Sequence, residues 1–264
     1  MDKEGPIIRR QIVDEVRRGD FSTIALMHMA HYDASVQCYI DEAKRLSRPV
    51  DVLNIGAGDL WDLHVFISGK KVKKSTVLRS YTAIDIIDVP SPFGKKLSEQ
   101  ISYVGVKQDM IKDNSIPLDD ESVDVVICTE FIEHIDKKSA IAVLDEAYHV
   151  LRPDGMLYIT TPNREQTTRT DKYHIYEWAV EELDNELYRI GFDVCDIFGT
   201  YIDQRTFAKC NAEEQRIPKR LVKEFKDRFT ANFFRLIVAT PYPEYSNGIA
   251  VYARKVENGQ SHKE

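Results

Sequence analysis

Short apolar runs alternate along this chain with segments in which apolar residues recur every three or four positions. The first pattern is typical of buried parallel strands, and the second of helices that pack one face against a sheet. Helical spacing is clearest over residues 60–67, 137–151 and 178–190. The strand-like runs are residues 50–55, 80–86, 104–106, 122–130, 156–163, 192–201 and 248–254. This alternation predicts an α/β fold with a largely parallel sheet.

Helical spacing also occurs outside this alternation. Ahead of the first strand it covers residues 6–18, 21–29 and 34–46, and the histidine-containing residues 27–33 bridge the last two segments. Residues 205–240 carry helical spacing again before the last strand-like run. We therefore expect separate N-terminal helices and a helical insertion before the last strand.

The first strand-like run ends in a turn that a ligand can approach closely. Gly56 and Gly58 lie two positions apart, and glycine both turns sharply and leaves room beside the backbone. We expect a β-branched side chain at Gly56 to fill space that a ligand needs. Trp61 stands where dinucleotide-binding motifs have a third glycine, which disfavours a nicotinamide or flavin cofactor. The glycine pair alone is also compatible with an ordinary strand-to-helix turn.

Acidic residues lie at the ends of the next two strand-like runs. Asp85 closes the second run, where a carboxylate can accept two hydrogen bonds from the ribose hydroxyls of a nucleoside. Asp109 follows the third run and is placed to meet an adenine amino group. Because the carboxyl ends of parallel strands share one edge of a sheet, these acids and the glycine turn predict a nucleoside-containing ligand there.

The order of these motifs is similar to that of a known family. The glycine turn, Asp85, Asp109, Glu130 after the fourth run and the loop at residues 161–163 resemble class I S-adenosylmethionine-dependent methyltransferases over roughly residues 50–200. The resemblance implies a Rossmann-like, seven-stranded, mostly parallel sheet with helices on both faces. It also implies S-adenosyl-L-methionine over the carboxyl ends of the first, second and fourth strands. The methyl acceptor is not implied, because this fold serves many substrates.

The same resemblance divides the chain. Residues 1–48 are expected to form an N-terminal helical lid, and residues 49–256 the methyltransferase domain, with its helical insertion at about 205–240. Residues 257–264 are a polar tail. The cofactor is expected to contact residues at the ends of four strands, namely Asn54, Gly56, Ala57, Gly58, Asp85, Ile86, Asp109, Met110, Thr129 and Glu130.

Methyl transfer from a sulfonium mainly requires alignment of donor and acceptor, because the leaving group is neutral. A base is needed only if the acceptor must lose a proton. The candidate catalytic residues are Glu133 and His134 after the fourth strand, together with Tyr32 from the N-terminal segment. In relatives the Glu-His pair often packs and hydrogen-bonds instead of catalysing.

Residues outside the sheet suggest the kind of acceptor. His28, His31 and Arg164 are the expected substrate-binding residues, and further basic side chains follow at Arg169, Arg205, Lys209 and Arg216. Polar aromatic groups beside guanidinium groups suit a polar, anionic acceptor. The expected partners are therefore a small polar metabolite of sugar type, a nucleotide or a nucleic acid.

Two alternatives remain open. Glu130, Glu133, His134 and the later His174 are spaced as in the small-RNA 3′-terminal 2′-O-methyltransferases, where the resemblance implies a divalent metal. Metal-free relatives share the Glu-x-x-Glu-His signature, so the leading expectation is a site without metal. The chain could instead be a cofactor-binding, non-catalytic subunit, although the intact acids Asp85 and Asp109 argue against this.

Composition narrows the class of protein. The 264 residues carry a formal net charge of −7, which disfavours a protein that coats nucleic acid non-specifically. Four cysteines without paired spacing fit a reducing compartment. The sequence has no run of about 18 apolar residues and no apolar signal core at its N-terminus. We expect a cytoplasmic protein that does not contact membranes. The sequence does not specify its oligomeric state.

Overall fold

Seven strands form one mixed sheet. The structure is a computed structural model and describes residues 23–69, 73–113, 115–166, 172–202 and 239–256. The strands are β1 (Val50–Ile55), β2 (Leu78–Asp85), β3 (Ser102–Lys107), β4 (Val123–Thr129), β5 (Leu151–Pro162), β6 (Phe192–Tyr201) and β7 (Gly248–Lys255). They lie in the order β3-β2-β1-β4-β5-β7-β6. β1 to β5 run parallel, and β7 runs antiparallel to both β5 and β6. The predicted Rossmann-like, mostly parallel sheet of seven strands is confirmed.

In the described part of the chain, five α-helices with described bounds connect or flank these strands. They are α1 (Thr23–Leu46), α2 (Trp61–Ser68), α3 (Lys95–Ser98), α4 (Lys137–Val150) and α5 (Val180–Ile190). Asp136 begins α4 by accepting the backbone N–H groups of Lys138 and Ser139, which satisfies donors that have no partner within the helix. Gly191 ends α5 in a left-handed conformation with φ of 118°. Among the described residues, no helix is long and apolar enough to cross a bilayer.

The sheet separates two apolar layers. On one face, side chains of β1, β4 and β5 pack against α4 and α5, with Trp178 and Leu187 fully buried. On the other face, Val52, Tyr81 and Tyr158 belong to the cluster that includes α1 and α2. Strands covered on both sides read as continuous apolar runs, and this is why the sequence pattern located them.

The region before β1 differs from the prediction. Two helices separated at residues 27–33 were expected, whereas α1 continues without a break from Thr23 to Leu46. The segment contains neither glycine nor proline, and the Ser35 hydroxyl donates to the His31 carbonyl within the helix at 2.9 Å. The polar residues at 27–33 therefore lie within α1 and do not end the helix.

The chain around β5 also differs from the prediction. Residues 153–155 were expected to form a turn, but β5 already begins at Leu151, and its pairing with β4 shifts register between Val123 and Val125. Asp154, with φ of 60°, lies at this irregularity. Pro153 and Gly155 therefore lie in a β-bulge within β5, where the regular pairing with β4 is interrupted.

The connection after β4 begins with a short 3₁₀ turn at Ile132–His134, where an α-helix was expected to open, and α4 follows only at Lys137. Several predicted segments lie outside the described residues. They are the first N-terminal helix at residues 6–18, residues 203–238 of the insertion region, and the tail from residue 257.

Two buried carboxylates tie four strands together at the amino-terminal edge of the sheet. Asp124 in β4 accepts hydrogen bonds from Arg48 at 2.6 and 2.8 Å and from the backbone N–H of Asp51 at 2.9 Å. Asp51 in β1 accepts from Arg79 in β2 and from Arg152 in β5. Burial alone would raise the pKa of Asp124, but its hydrogen bonds and the charges of Arg152 and Arg48 together lower it. Asp124 is therefore ionised in the folded protein.

We expect Asp124→Ala to lower the free energy of unfolding by about 1–3 kcal/mol, because it leaves the buried N–H of Asp51 without an acceptor and removes the carboxylate partner of Arg48. The matched control Asp41→Ala removes an exposed carboxylate paired with Lys44 and should cost less than about 1 kcal/mol. Urea denaturation of both full-length variants measures the difference. Equal losses would contradict a stabilising role of the network.

The effect of Asp124→Ala on the free energy of unfolding should depend on pH. A carboxyl group whose folded pKa is lowered stabilises fully above its unfolded pKa of about 3.9, and the stabilisation is lost as the pH falls through the folded value. The stability difference between wild type and Asp124→Ala should therefore shrink below about pH 4.

Candidate functional site

Most of the residues predicted to bind a cofactor lie at the carboxyl edge of the parallel strands. β1, β2 and β4 are neighbours, so Gly56, Asp85 and Thr129 follow one another along this edge. The edge is the usual ligand side of an open α/β sheet, where the strand order reverses between β1 and β4.

The glycine turn after β1 closes over the end of β2. The backbone N–H groups of Gly56 and Ala57 donate to the Ile84 carbonyl at 2.9 and 3.1 Å. The N–H of Gly58 donates to Asp85 Oδ2 at 2.8 Å, and Asp85 Oδ1 accepts the N–H of Ile87 at 3.1 Å. Each carboxylate oxygen has a second lone pair, so Asp85 is held in place while it retains capacity to accept hydroxyl groups.

The two glycines of this turn have different surroundings. Gly56 has φ of +68°, and a Cβ there would lie 2.5 Å from Cδ2 of Phe131. Gly58 has φ of +50°, and a Cβ there would meet no atom within 4 Å. A β-branched side chain at Gly56 was expected to enter the space of a ligand. The structure shows that it would clash with the Phe131 side chain instead. Open space lies at Gly58.

Asn54 faces the interior beneath the turn. Its Nδ2 donates to the Tyr81 hydroxyl at 2.8 Å and to Asp62 Oδ1 at 3.3 Å, and the Tyr81 hydroxyl donates to Asp62 Oδ2 at 2.6 Å. Burial raises the pKa of Asp62 to about 6, although the hydrogen bonds to its carboxylate oppose the rise. Asp62 and Tyr81 were not predicted as site residues. Both lie among apolar residues in the sequence, and nothing there indicated that they contact Asn54.

The remaining predicted cofactor residues differ in exposure. Met110 is buried after β3, whereas Ile86 is 40% exposed after β2. Asp109 accepts the N–H of Ile111 at 3.2 Å and pairs with Lys112 at 2.9 Å. An exposed apolar side chain can pack on the face of an adenine ring, and a neighbouring acid can accept a hydrogen bond from its amino group.

The predicted residues of the N-terminal segment lie on α1 close to the end of β4. The rings of His28 and Tyr32 stack at 6.2 Å, and Tyr32 stacks on Trp61 at 6.3 Å. The His28 and His31 rings meet edge to face at 6.1 Å, and His31 Nδ1 lies 3.4 Å from Glu130 Oε1. Four sequence-predicted residues, His28, His31, Tyr32 and Glu130, are thus brought together.

This cluster contains buried polar atoms without hydrogen bonds. Both ring nitrogens of His31, Nδ1 of His28 and Oε1 of Glu130 are shielded from solvent and have no hydrogen-bond partner among the residues that the structure describes. Each such atom costs roughly 1–3 kcal/mol when unsatisfied. Glu130 also has φ of 49°, a left-handed conformation that a residue with a side chain adopts only at a cost. Unsatisfied atoms and backbone strain together indicate a ligand site.

The protonation states limit what these groups can do. Burial lowers the pKa of His31 to about 4, against the opposing effect of Glu130, so its imidazole is neutral at pH 7. Burial and then the charges of Glu130, Asp62 and Asp59 raise the pKa of Tyr32. Tyr32 therefore keeps its proton and can donate a hydrogen bond, but it cannot act as a phenolate base.

A second cluster lies beside the first, after β4. Glu133, His134 and His174 offer ligand atoms within 4.8 Å of one another, and the two imidazole rings are 5.2 Å apart. His134 Nδ1 lies 3.1 Å from the Tyr173 carbonyl, and His174 Nδ1 lies 2.6 Å from Glu177 Oε1. Both partners are acceptors, so Nδ1 is the donating nitrogen of each ring and Nε2 is the nitrogen left for another partner.

Glu133 is buried, and no Lys or Arg among the described residues pairs with it. The Thr161 hydroxyl donates to its Oε2 at 3.3 Å. Burial and then the charge of Glu130 raise the pKa of Glu133 well above its ordinary range. The protonated form of Glu133 is therefore favoured, and a bound cation would oppose this by favouring the carboxylate.

Arg164 is engaged by other protein groups. Its guanidinium lies 3.0 Å from Glu182 and donates to the Tyr176 hydroxyl at 2.9 Å. Lys137 also pairs with Glu182, at 2.6 Å. The other predicted basic residues, Arg169, Arg205, Lys209 and Arg216, lie outside the described residues.

Comparison with known proteins agrees with this architecture. A family model described as a methyltransferase domain matches residues 68–159, from the end of α2 into β5, and so does not include the glycine turn. A probable S-adenosylmethionine-dependent methyltransferase of Mycolicibacterium smegmatis is 35% identical over 91 residues, which are 33% of this chain and 35% of that protein. The chain thus spans about a third of the length of the curated relatives it matches.

Solved structures resemble the whole described fold. A small RNA methyltransferase has a TM-score of 0.55 at 15% identity, over 92% of this chain and 27% of its own. The 1,6-didemethyltoxoflavin N1-methyltransferase of Burkholderia thailandensis, solved with that compound and S-adenosylhomocysteine, has a TM-score of 0.50 at 18% identity, over 97% of this chain and 90% of its own. At these identities the likeness is one of fold. Residues 68–159 are thus similar to a methyltransferase domain, the sequence relatives are probable S-adenosylmethionine-dependent methyltransferases, and the fold is similar to that of solved methyltransferases.

Proposed function

We propose that this protein transfers a methyl group from S-adenosyl-L-methionine to a polar acceptor. The observation that carries the proposal is the arrangement at the carboxyl edge of the sheet. There the Gly58 backbone meets open space and donates to Asp85, whose carboxylate keeps lone pairs for ribose hydroxyls. Asp109, Met110 and Ile86 lie at the neighbouring strand ends, in positions suited to an adenine ring.

The acceptor is proposed to lie between α1 and the end of β4. The Tyr32 ring there stacks with His28 and Trp61, and His31 approaches Glu130. The protonated phenol of Tyr32 and the neutral imidazole of His31 can orient an acceptor by hydrogen bonds. Since the leaving group is neutral, this orientation is the main contribution that the transfer needs from the protein.

The charged groups around Tyr32 bear on the charge of the acceptor. Near Tyr32 the charged groups are carboxylates, and Arg164 already pairs with Glu182. An anionic acceptor would therefore depend on the basic residues at 169, 205, 209 and 216, beyond the described part of the chain. We propose a polar acceptor of nucleotide, nucleic-acid or sugar type, in keeping with these residues.

A second candidate function is metal-dependent methylation of an RNA 3′-terminal 2′-hydroxyl. The cluster of Glu133, His134 and His174 supports it, because Tyr173 and Glu177 fix both imidazoles with Nε2 available. Such outer partners are typical of histidines that bind metal. A divalent ion bound by these three residues would supply the cation that buried Glu133 lacks, and Glu130 lies close enough to influence its pKa.

We expect Asp85→Ala to weaken S-adenosylmethionine binding by about 1.5–3 kcal/mol, the worth of hydrogen bonds to a charged group. Isothermal titration calorimetry measures this change. The control Asp88→Ala removes an exposed carboxylate of the same loop, which pairs with Lys107 at 3.3 Å, and should leave affinity unchanged. A folded Asp85→Ala protein with wild-type affinity would overturn the ribose assignment.

The acceptor can be sought with methyl-labelled cofactor against fractionated RNA and small-molecule extracts. With the acceptor in hand, Tyr32→Phe should lower kcat/KM by about two- to tenfold, the worth of one hydrogen bond, and should leave cofactor affinity within about twofold. Tyr188→Phe, on the surface of α5, is the control. Cofactor binding without label transfer to any fraction would instead favour the non-catalytic subunit.

His174→Ala separates the two candidate functions. The leading proposal has no role for His174, so turnover on a metabolite acceptor should stay near that of the wild type. The RNA alternative predicts that methylation of RNA 3′ ends falls by more than about tenfold, as loss of groups around a metal does. Circular dichroism should show that the variant is folded, and unchanged RNA methylation would rule out this metal site.

A further inference from the structure

The proposed function uses the cluster of His28, His31 and Glu130 only to orient an acceptor, yet these three side chains are also a set of possible metal ligands. The three side chains present ligand atoms within 4.8 Å of one another. His28 and His31 are three residues apart on α1, so both project from one face of the helix. Glu130 approaches that face from the end of β4, with its carboxylate 3.4 Å from His31 Nδ1.

The hydrogen bonds of the described residues leave this set unsatisfied. His31 is only 1% exposed, and neither of its ring nitrogens forms a hydrogen bond with a described residue. His28 Nδ1 and Glu130 Oε1 are likewise buried without a hydrogen bond. In the neighbouring cluster, by contrast, Tyr173 and Glu177 satisfy one nitrogen of each imidazole. Buried polar atoms without partners that converge on one point indicate that something polar or charged is bound between them.

We propose that His28, His31 and Glu130 bind one divalent transition-metal ion of the zinc type. Two imidazoles from one helical turn and a carboxylate from another element are a common arrangement of ligands for such ions. Imidazole nitrogens favour zinc, cobalt, nickel or iron over magnesium or calcium, which prefer oxygen. Metal–ligand bonds of about 2.1 Å place two ligand atoms at most about 4.2 Å apart, so small side-chain rotations close the site.

The position of the ion gives it a role in the cleft. Three protein ligands would leave a fourth position open, and the stacked rings of Tyr32 and Trp61 lie next to His28. A hydroxyl group bound there would lose its proton more readily, because a zinc-type ion lowers the pKa of bound oxygen. This use rests on the proposed methyl transfer, whereas binding of the ion does not.

Cobalt(II) is the probe, because its visible absorption reports ligand number and geometry. The full-length chain with His134→Ala and His174→Ala serves as the background, since the neighbouring cluster then lacks two of its ligands. We expect one equivalent of cobalt to bind and to give absorption bands of a four- or five-coordinate ion. Adding His31→Ala or the isosteric Glu130→Gln should weaken binding by more than about tenfold, since loss of even an outer partner costs that much.

His64→Ala is the matched control, because its imidazole contacts Trp61 at 6.2 Å but lies outside the cluster. This variant should bind cobalt like the background. No cobalt binding by the folded background protein would overturn the proposal, as would equal affinity in the His31→Ala, Glu130→Gln and His64→Ala proteins. Cofactor titration of the same proteins is independent of this result, so failure of the metal site and failure of the proposed function are distinguishable.

Discussion

Every feature of the candidate site depends on the parallel pairing of β1, β2 and β4. Parallel backbone hydrogen bonds bring the carboxyl ends of these strands to one edge, so residues far apart in sequence become neighbours. The Gly58 N–H then meets Asp85 across 27 positions of sequence. At the opposite edge, Asp51 and Asp124 bind arginines of β2, β5 and the segment before β1. The sheet is tied at one edge and open to ligands at the other.

The long helix α1 brings chemistry to the ligand edge. It packs on the sheet face formed by β1, β4 and β5 and reaches the end of β4 with His28, His31 and Tyr32. Because the helix is continuous from Thr23 to Leu46, these residues are held by the same packing that buries Tyr39.

Burial favours the neutral forms of three candidate groups. It lowers the pKa of His31 and raises that of Tyr32 and Glu133. Neutral groups that form hydrogen bonds are suited to align a sulfonium and a polar acceptor. A bound cation would favour the ionised form of Glu133.

The sequence by itself determined the sheet, because strands buried on both faces must be apolar and the turns between them need glycine or acids. It also located Asp85, Asp109 and Glu130 at one edge, since strand ends share that edge. Only the tertiary structure decided which partner each side chain meets. Phe131 fills the space beside Gly56, Asn54 turns inward to Asp62, and Arg164 pairs with Glu182. Helical and strand periods define the face on which a residue lies, but its neighbour comes from another element, whose position depends on packing over the whole domain.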